Sequence, residues 1–136
     1  MPQQALTTQQ FIMILISITI AVGGQILLKL GLKDDPFAAA QLADTGIIAT
    51  YVGVMFKPMV LAGLITYGLS AVVWLWVLSK VPLTVAYPMV GLSYILTLIP
   101  GYFLFAEKIS MLRIIGILLI IQGVILITLS GKSAPN

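Results

Sequence analysis

Apolar residues in this chain come in long unbroken runs instead of alternating with polar ones, and the runs are separated by single charges. A helix needs roughly 20 mostly apolar residues to cross a hydrocarbon core of about 30 Å. Four runs meet that length: about 11–32, 58–79, 83–106 and 112–131. The pattern predicts an all-α integral membrane protein, a single transmembrane domain over 1–136 built as a bundle of four spanning helices. The second linker (Ser79 to Leu83) and the third (Glu107 to Leu112) are tight, so helices two, three and four are expected to pack as antiparallel neighbours. The first linker is long. After Asp34, Asp35, Pro36 and Asp44 it carries a moderately apolar stretch, 46–56, too short and glycine-rich for a fifth span. An interfacial or re-entrant helix is expected there. The Gln-rich first ten residues and the last five are expected to fray. No internal repeat is visible.

Composition sharpens the picture. Of 136 residues, 60% are hydrophobic and 8% charged, too few charges to cover a water-facing surface. The chain has no cysteine and no histidine, which removes disulfides, thiolate metal sites and the commonest proton shuttle. No metal, no cofactor and no enzymatic chemistry are expected. The net charge of +3 is carried by scattered Lys and Arg, so a nucleic-acid partner is not expected. The first run lacks a basic leader and a small-x-small cleavage site, and is expected to be retained as a helix. Lys29, Lys33, Lys57, Lys108 and Arg113 fall on one side of the predicted bundle, against Lys80 and Lys132 on the other. The positive-inside rule then puts both termini outside.

Few residues in the runs can carry chemistry. Lys29 lies near the end of the first run, with Gln25 one helical turn deeper on the same face. Two readings are open: the ammonium snorkels to the headgroups, or the two donors form a pocket for an anion such as a phosphate. Gly23 and Gly24 would let a neighbouring helix or a substrate approach the backbone. In the third run Tyr87, Gly91 and Tyr94 share a stripe, Ser93 lies beside it, and Pro88 with Gly91 is the expected bend. That stripe is either a binding surface or close packing. Trp74, Trp76 and Tyr67 are read as interfacial and packing aromatics, not a cation cage. Glu107 is expected to pair with Lys108 or Arg113 at the membrane surface. No acidic residue lies inside any run, whereas proton-coupled exporters of cations generally need a buried carboxylate.

The segments Lys80-Val81-Pro82-Leu83-Thr84-Val85-Ala86-Tyr87-Pro88, Phe105-Ala106-Glu107-Lys108-Ile109-Ser110, Ile115-Gly116 and Gln122-Gly123-Val124 resemble the drug/metabolite transporter superfamily. The resemblance covers nearly the whole chain. Its four-helix length is similar to the small multidrug resistance proteins and to the paired small subunits of the undecaprenyl-phosphate-aminoarabinose flippase. Gly24-Gln25 with Lys29, and Ala86-Tyr87-Pro88, resemble the second group more closely. The drug exporters carry a glutamate eight residues before the lysine, where this chain has Ala21, and a tryptophan three residues after the tyrosine, where it has Val90. What the resemblance implies is a multi-pass protein of the bacterial inner membrane that translocates a polyprenyl-phosphate-linked sugar or similar anionic lipid-linked substrate. The substrate-binding residues would be Lys29, Gln25, Gly24, Tyr87, Pro88, Ser93 and Tyr94. The expected partners are membrane lipid and a second small subunit, in a homodimer or a heterodimer, with Gly116 and Gly123 as the dimer seam. Two other classes stay open: a small multidrug resistance-type exporter of small molecules, and a non-transporting membrane assembly subunit.

Overall fold

The computed structural model describes residues 6–34, 36–37 and 46–130. Among them the helices are α1 (Thr8–Gly31), α2 (Ile47–Met55), α3 (Pro58–Lys80), α4 (Leu83–Val90), α5 (Ser93–Phe105) and α6 (Met111–Ser130). Four stretches are long and apolar enough to cross a membrane: α1, α3, α4–α5 taken together and α6, at 20 to 24 residues each. At ~1.5 Å per residue that is about 30 to 36 Å of helix, matched to the bilayer core. Large apolar side chains such as Ile65, Val72, Leu75, Leu119 and Leu126 lie exposed along these helices, as lipid-facing residues should. Lys132, and the tails at 1–5 and 131–136, lie outside the described residues, as does the linker at 38–45.

Helix α1 starts earlier than the apolar run. The Thr7 amide donates to Gln10 Oε1 at 2.9 Å, and the Gln10 amide donates to Thr7 Oγ1 at 3.3 Å. This reciprocal capping box satisfies two of the amides that a helix start leaves without partners. The expectation of a frayed segment through residue 10 is therefore corrected: polar residues 7–10 are a helix start. At the other end of α3, Pro82 sits in an extended conformation (φ −57°, ψ 141°) and its carbonyl receives the amides of Val85 and Ala86, opening α4.

The third span is broken. Gly91 and Leu92 donate to Pro88 and Met89 three residues back, and Tyr94 and Ile95 continue with i−3 bonds to Gly91 and Leu92. These tighter turns separate α4 from α5 one turn after Pro88, whose missing amide already weakens the ladder. Gly91 is also where α6 comes close: a Cβ there would lie 2.6 Å from Ile120 Cγ2. Gly91 therefore leaves the stripe that regular helical spacing predicts. It meets α6, while Tyr87 and Tyr94 stay exposed.

The chain divides into two compact units, Met1–Thr19 with Ser70–Asn136, and Ile20–Leu69. In the first, Ile14, Val77, Ala86 and Met89 are almost wholly buried, and α4 packs on α6. Ser17 Oγ donates to the Ser70 carbonyl at 3.0 Å, and Gln10 Nε2 donates to the Lys80 carbonyl at 3.1 Å, two hydrogen bonds between α1 and α3. Such bonds satisfy polar groups between helices where lipid offers no partner.

The second unit is held by backbone contact between α1 and α3. A Cβ on Gly24 would lie 2.8 Å from the Tyr67 nitrogen and 3.0 Å from the Gly63 oxygen. One on Gly63 would lie 2.8 Å from the Leu28 nitrogen and 2.9 Å from the Gly24 oxygen, and one on Gly31 3.0 Å from the Val60 nitrogen. Where lipid tails are as apolar as the side chains, such close approach and the dispersion it brings drive helix association.

Candidate functional site

Lys29 lies in the last turn of α1, exposed, with Gln25 exposed one turn earlier. The helix then closes through amide bonds from Leu32 to Leu28 and Lys29, and from Lys33 to Leu30. A cation in the last turn is favoured by the partial negative charge of the helix C-terminus, which repels an anion, so the ammonium alone can draw a negatively charged ligand there. Gly24, adjacent to Gln25, is not open to a ligand: α3 occupies it. Gly23 has open space where its side chain would be. Of the two roles its small size allowed, Gly24 serves helix packing.

Tyr87, Pro88, Ser93 and Tyr94 belong to the other unit. Pro88 lies inside α4, and Ser93 is the half-buried first residue of α5. Tyr87 and Tyr94 are 61% and 57% exposed, so both can meet a ligand or lipid. The Tyr87 ring meets Trp74 of α3 edge-on, with centroids 6.4 Å apart at 88°. Edge-to-face pairing fixes both rings.

At the end of α5 the chain turns through Ala106, which takes a left-handed conformation (φ 50°), so that the amides of Ala106 and Glu107 both return to the Gly101 carbonyl. The Glu107 carboxylate folds over Gly101: a Cβ there would be 3.3 Å from Oε2. The same oxygen lies 3.5 Å from Arg113 Nη1, tying the loop to the first turn of α6. A half-exposed pair of this kind contributes at most about 1 kcal/mol. Lys108 is exposed beside it. Among the described residues, nothing lies within 4 Å of where a Cβ on Gly116 or Gly123 would be.

Sequence reasoning missed Gly63, Gly31, Gly101 and the Ser17–Ser70 bond. The first two carried a signal. Gly24 and Gly31 are seven apart, the same spacing that singles out Gly116 and Gly123, and Gly63 is a small residue in the facing span. Among the described residues there is no group of His, Cys, Asp or Glu that could hold a metal.

The chain is similar to known proteins over most of its length. It is 36% identical over 106 residues to the probable 4-amino-4-deoxy-L-arabinose-phosphoundecaprenol flippase subunit ArnF of Proteus mirabilis, covering 76% of this chain and 80% of that one. It is 34% identical over 116 residues to the corresponding ArnF of Photorhabdus laumondii, covering 84% and 92%. A probable subunit ArnE of the same flippase, from an Enterobacter species, is 41% identical over 64 residues, 47% of this chain and 60% of that subunit. No family model and no solved structure matches the chain. With four helices able to span a bilayer and ArnF relatives matched over most of both lengths, this chain is a multi-pass membrane protein and belongs to the family of small flippase subunits typified by ArnF and ArnE.

Proposed function

We propose that this chain is one of a pair of small subunits that together carry a polyprenyl-phosphate-linked amino sugar, held through its anionic phosphate, across the bacterial inner membrane. The observation that carries the reading is the 34% identity over 92% of the length of a subunit named for such a flippase. The charges along the spans support it. Lys29, Lys80 and Arg113 are the only ionisable Asp, Glu, Lys or Arg side chains in the four spans, and all are cationic. A cation exporter driven by protons has no carboxylate in these spans to work with, whereas an anion does find positive charge. Lys29 and Gln25, one turn apart, supply an ammonium and an amide donor to a phosphate, and the prenyl tail stays in lipid. The open line of Gly116 and Gly123 on α6 is the seam for the partner subunit.

The test is translocation in liposomes. The chain, alone and with a second small subunit, is reconstituted with a polyprenyl-phosphate amino sugar, and a membrane-impermeant amine reagent reports how fast the sugar reaches the outer leaflet. Exposure faster than in protein-free liposomes is the expected result. A rate equal to that of protein-free liposomes in both arrangements contradicts the proposal.

A further inference from the structure

Helix α2 has no charged side chain in its nine residues. Its Thr50 and Val54, four apart and therefore on one face, are buried. The Thr50 hydroxyl turns back on the Gly46 carbonyl at 3.3 Å, so its hydrogen-bonding need is met inside the helix. Every large apolar side chain on the rest of the helix is exposed: Ile47, Ile48, Tyr51, Val52 and Met55, followed by Phe56 at 75%. A helix lying on a membrane with one side in water needs a polar face for that side. On α2 the surface turned away from the chain is apolar instead.

The connection to α3 says what covers it. Only Lys57 separates Phe56 from Pro58, the first residue of a span, and the opening turns of that span expose Met59, Leu61, Leu64 and Ile65. Exposed apolar side chains thus run on along the chain from α3, past Lys57, onto α2. Lys57 itself has a stem long enough to reach the headgroups from below them. We infer that α2 is embedded in the acyl-chain region of one leaflet, its Ile48–Val52–Met55 face in direct contact with lipid hydrocarbon. The occupant of this face is bilayer lipid, not water and not a second protein chain. This holds whatever the chain transports.

Because the chain has no cysteine, single-cysteine variants carry one spin label each. Labels at Ile48→Cys, Val52→Cys and Met55→Cys, in vesicles of phosphatidylethanolamine and phosphatidylglycerol, are compared with Ile65→Cys on the span, Lys108→Cys in a loop and Val54→Cys in the interior. Collisions with oxygen, which concentrates in hydrocarbon, and with a water-soluble nickel chelate are measured for each. The α2 labels should show an oxygen-to-nickel ratio several-fold above that of Lys108→Cys and close to that of Ile65→Cys. A ratio like that of Lys108→Cys would mean water, and low collision with both reagents, as at Val54→Cys, would mean a second copy or a partner subunit. Either overturns the inference. A measurement on the unaltered chain guards against misfolded variants: a fatty acid with a photoreactive group along its chain should label the 47–56 peptide as it labels 59–65, and an unlabelled 47–56 peptide would count against embedding.

Discussion

At the scale of single residues, Lys29 separates the proposed function from simple snorkelling. An ammonium at a span centre costs up to ~3 kcal/mol on insertion scales, and less in a last turn. If it only snorkels, Lys29→Met is tolerated or stabilising. If it holds a phosphate, Lys29→Met abolishes translocation while helicity is unchanged, and Lys29→Arg, which keeps the charge, retains part of the rate. The double change with Gln25→Leu should then lose less than the sum of the singles, because both residues act on one ligand. The glycines give a second residue-scale forecast. Gly24→Ala and Gly63→Ala each force a methyl against backbone atoms at about 2.8 Å and should destabilise the protein by roughly 1–3 kcal/mol. Gly23→Ala meets open space and should stay within about 0.5 kcal/mol of the parent; thermal unfolding in detergent measures all three. That Gly24 permits close approach is legible in its residue type. That the neighbour is Gly63 of α3, and not a ligand, is not, since spacing within one helix names no partner across it.

At the scale of elements, the spans were readable because a bilayer imposes one length and one polarity on whatever crosses it, and four apolar runs between charges satisfy both. What escaped was local. Thr7-Thr8-Gln9-Gln10 looks like a polar tail, yet Thr7 and Gln10 are the two ends of a capping box. Replacing Thr7 by Ala should lose about 1 kcal/mol and raise hydrogen exchange at the first amides of α1, leaving exchange in α6 unaltered. In the third span the bend expected at Pro88 with Gly91 is found, as a break at Gly91–Leu92; what spacing could not show is that Ile120 of α6 packs against Gly91 there. Likewise the pairing of Glu107 with Arg113 was open from sequence, because Lys108 is nearer in the chain. The left-handed Ala106, which carries the carboxylate back over Gly101 towards Arg113, is a backbone choice that no residue type announces.

At the scale of the whole molecule, two seven-residue glycine spacings have opposite fates. Gly24 and Gly31 are filled by α3, while Gly116 and Gly123 meet no neighbour among the described residues. If the open pair is the subunit seam, Gly116→Leu or Gly123→Leu should weaken crosslinking between subunits with little change in the stability of the chain itself. Gly68→Leu, equally open but on α3, should leave crosslinking intact, and equal losses at all three would argue against α6 as the seam. The central claim is that Lys29 holds the phosphate of the substrate, and binding in lipid nanodiscs tests it most directly. The chain with its partner subunit is offered a polyprenyl-phosphate amino sugar and, separately, a lipophilic quaternary ammonium. The account predicts saturable binding of the lipid-linked sugar phosphate, weakened at least ~10-fold by Lys29→Met, a loss of about 1.4 kcal/mol, with no saturable binding of the cation. Saturable binding of the cation, with the sugar phosphate unbound or indifferent to Lys29→Met, would contradict it.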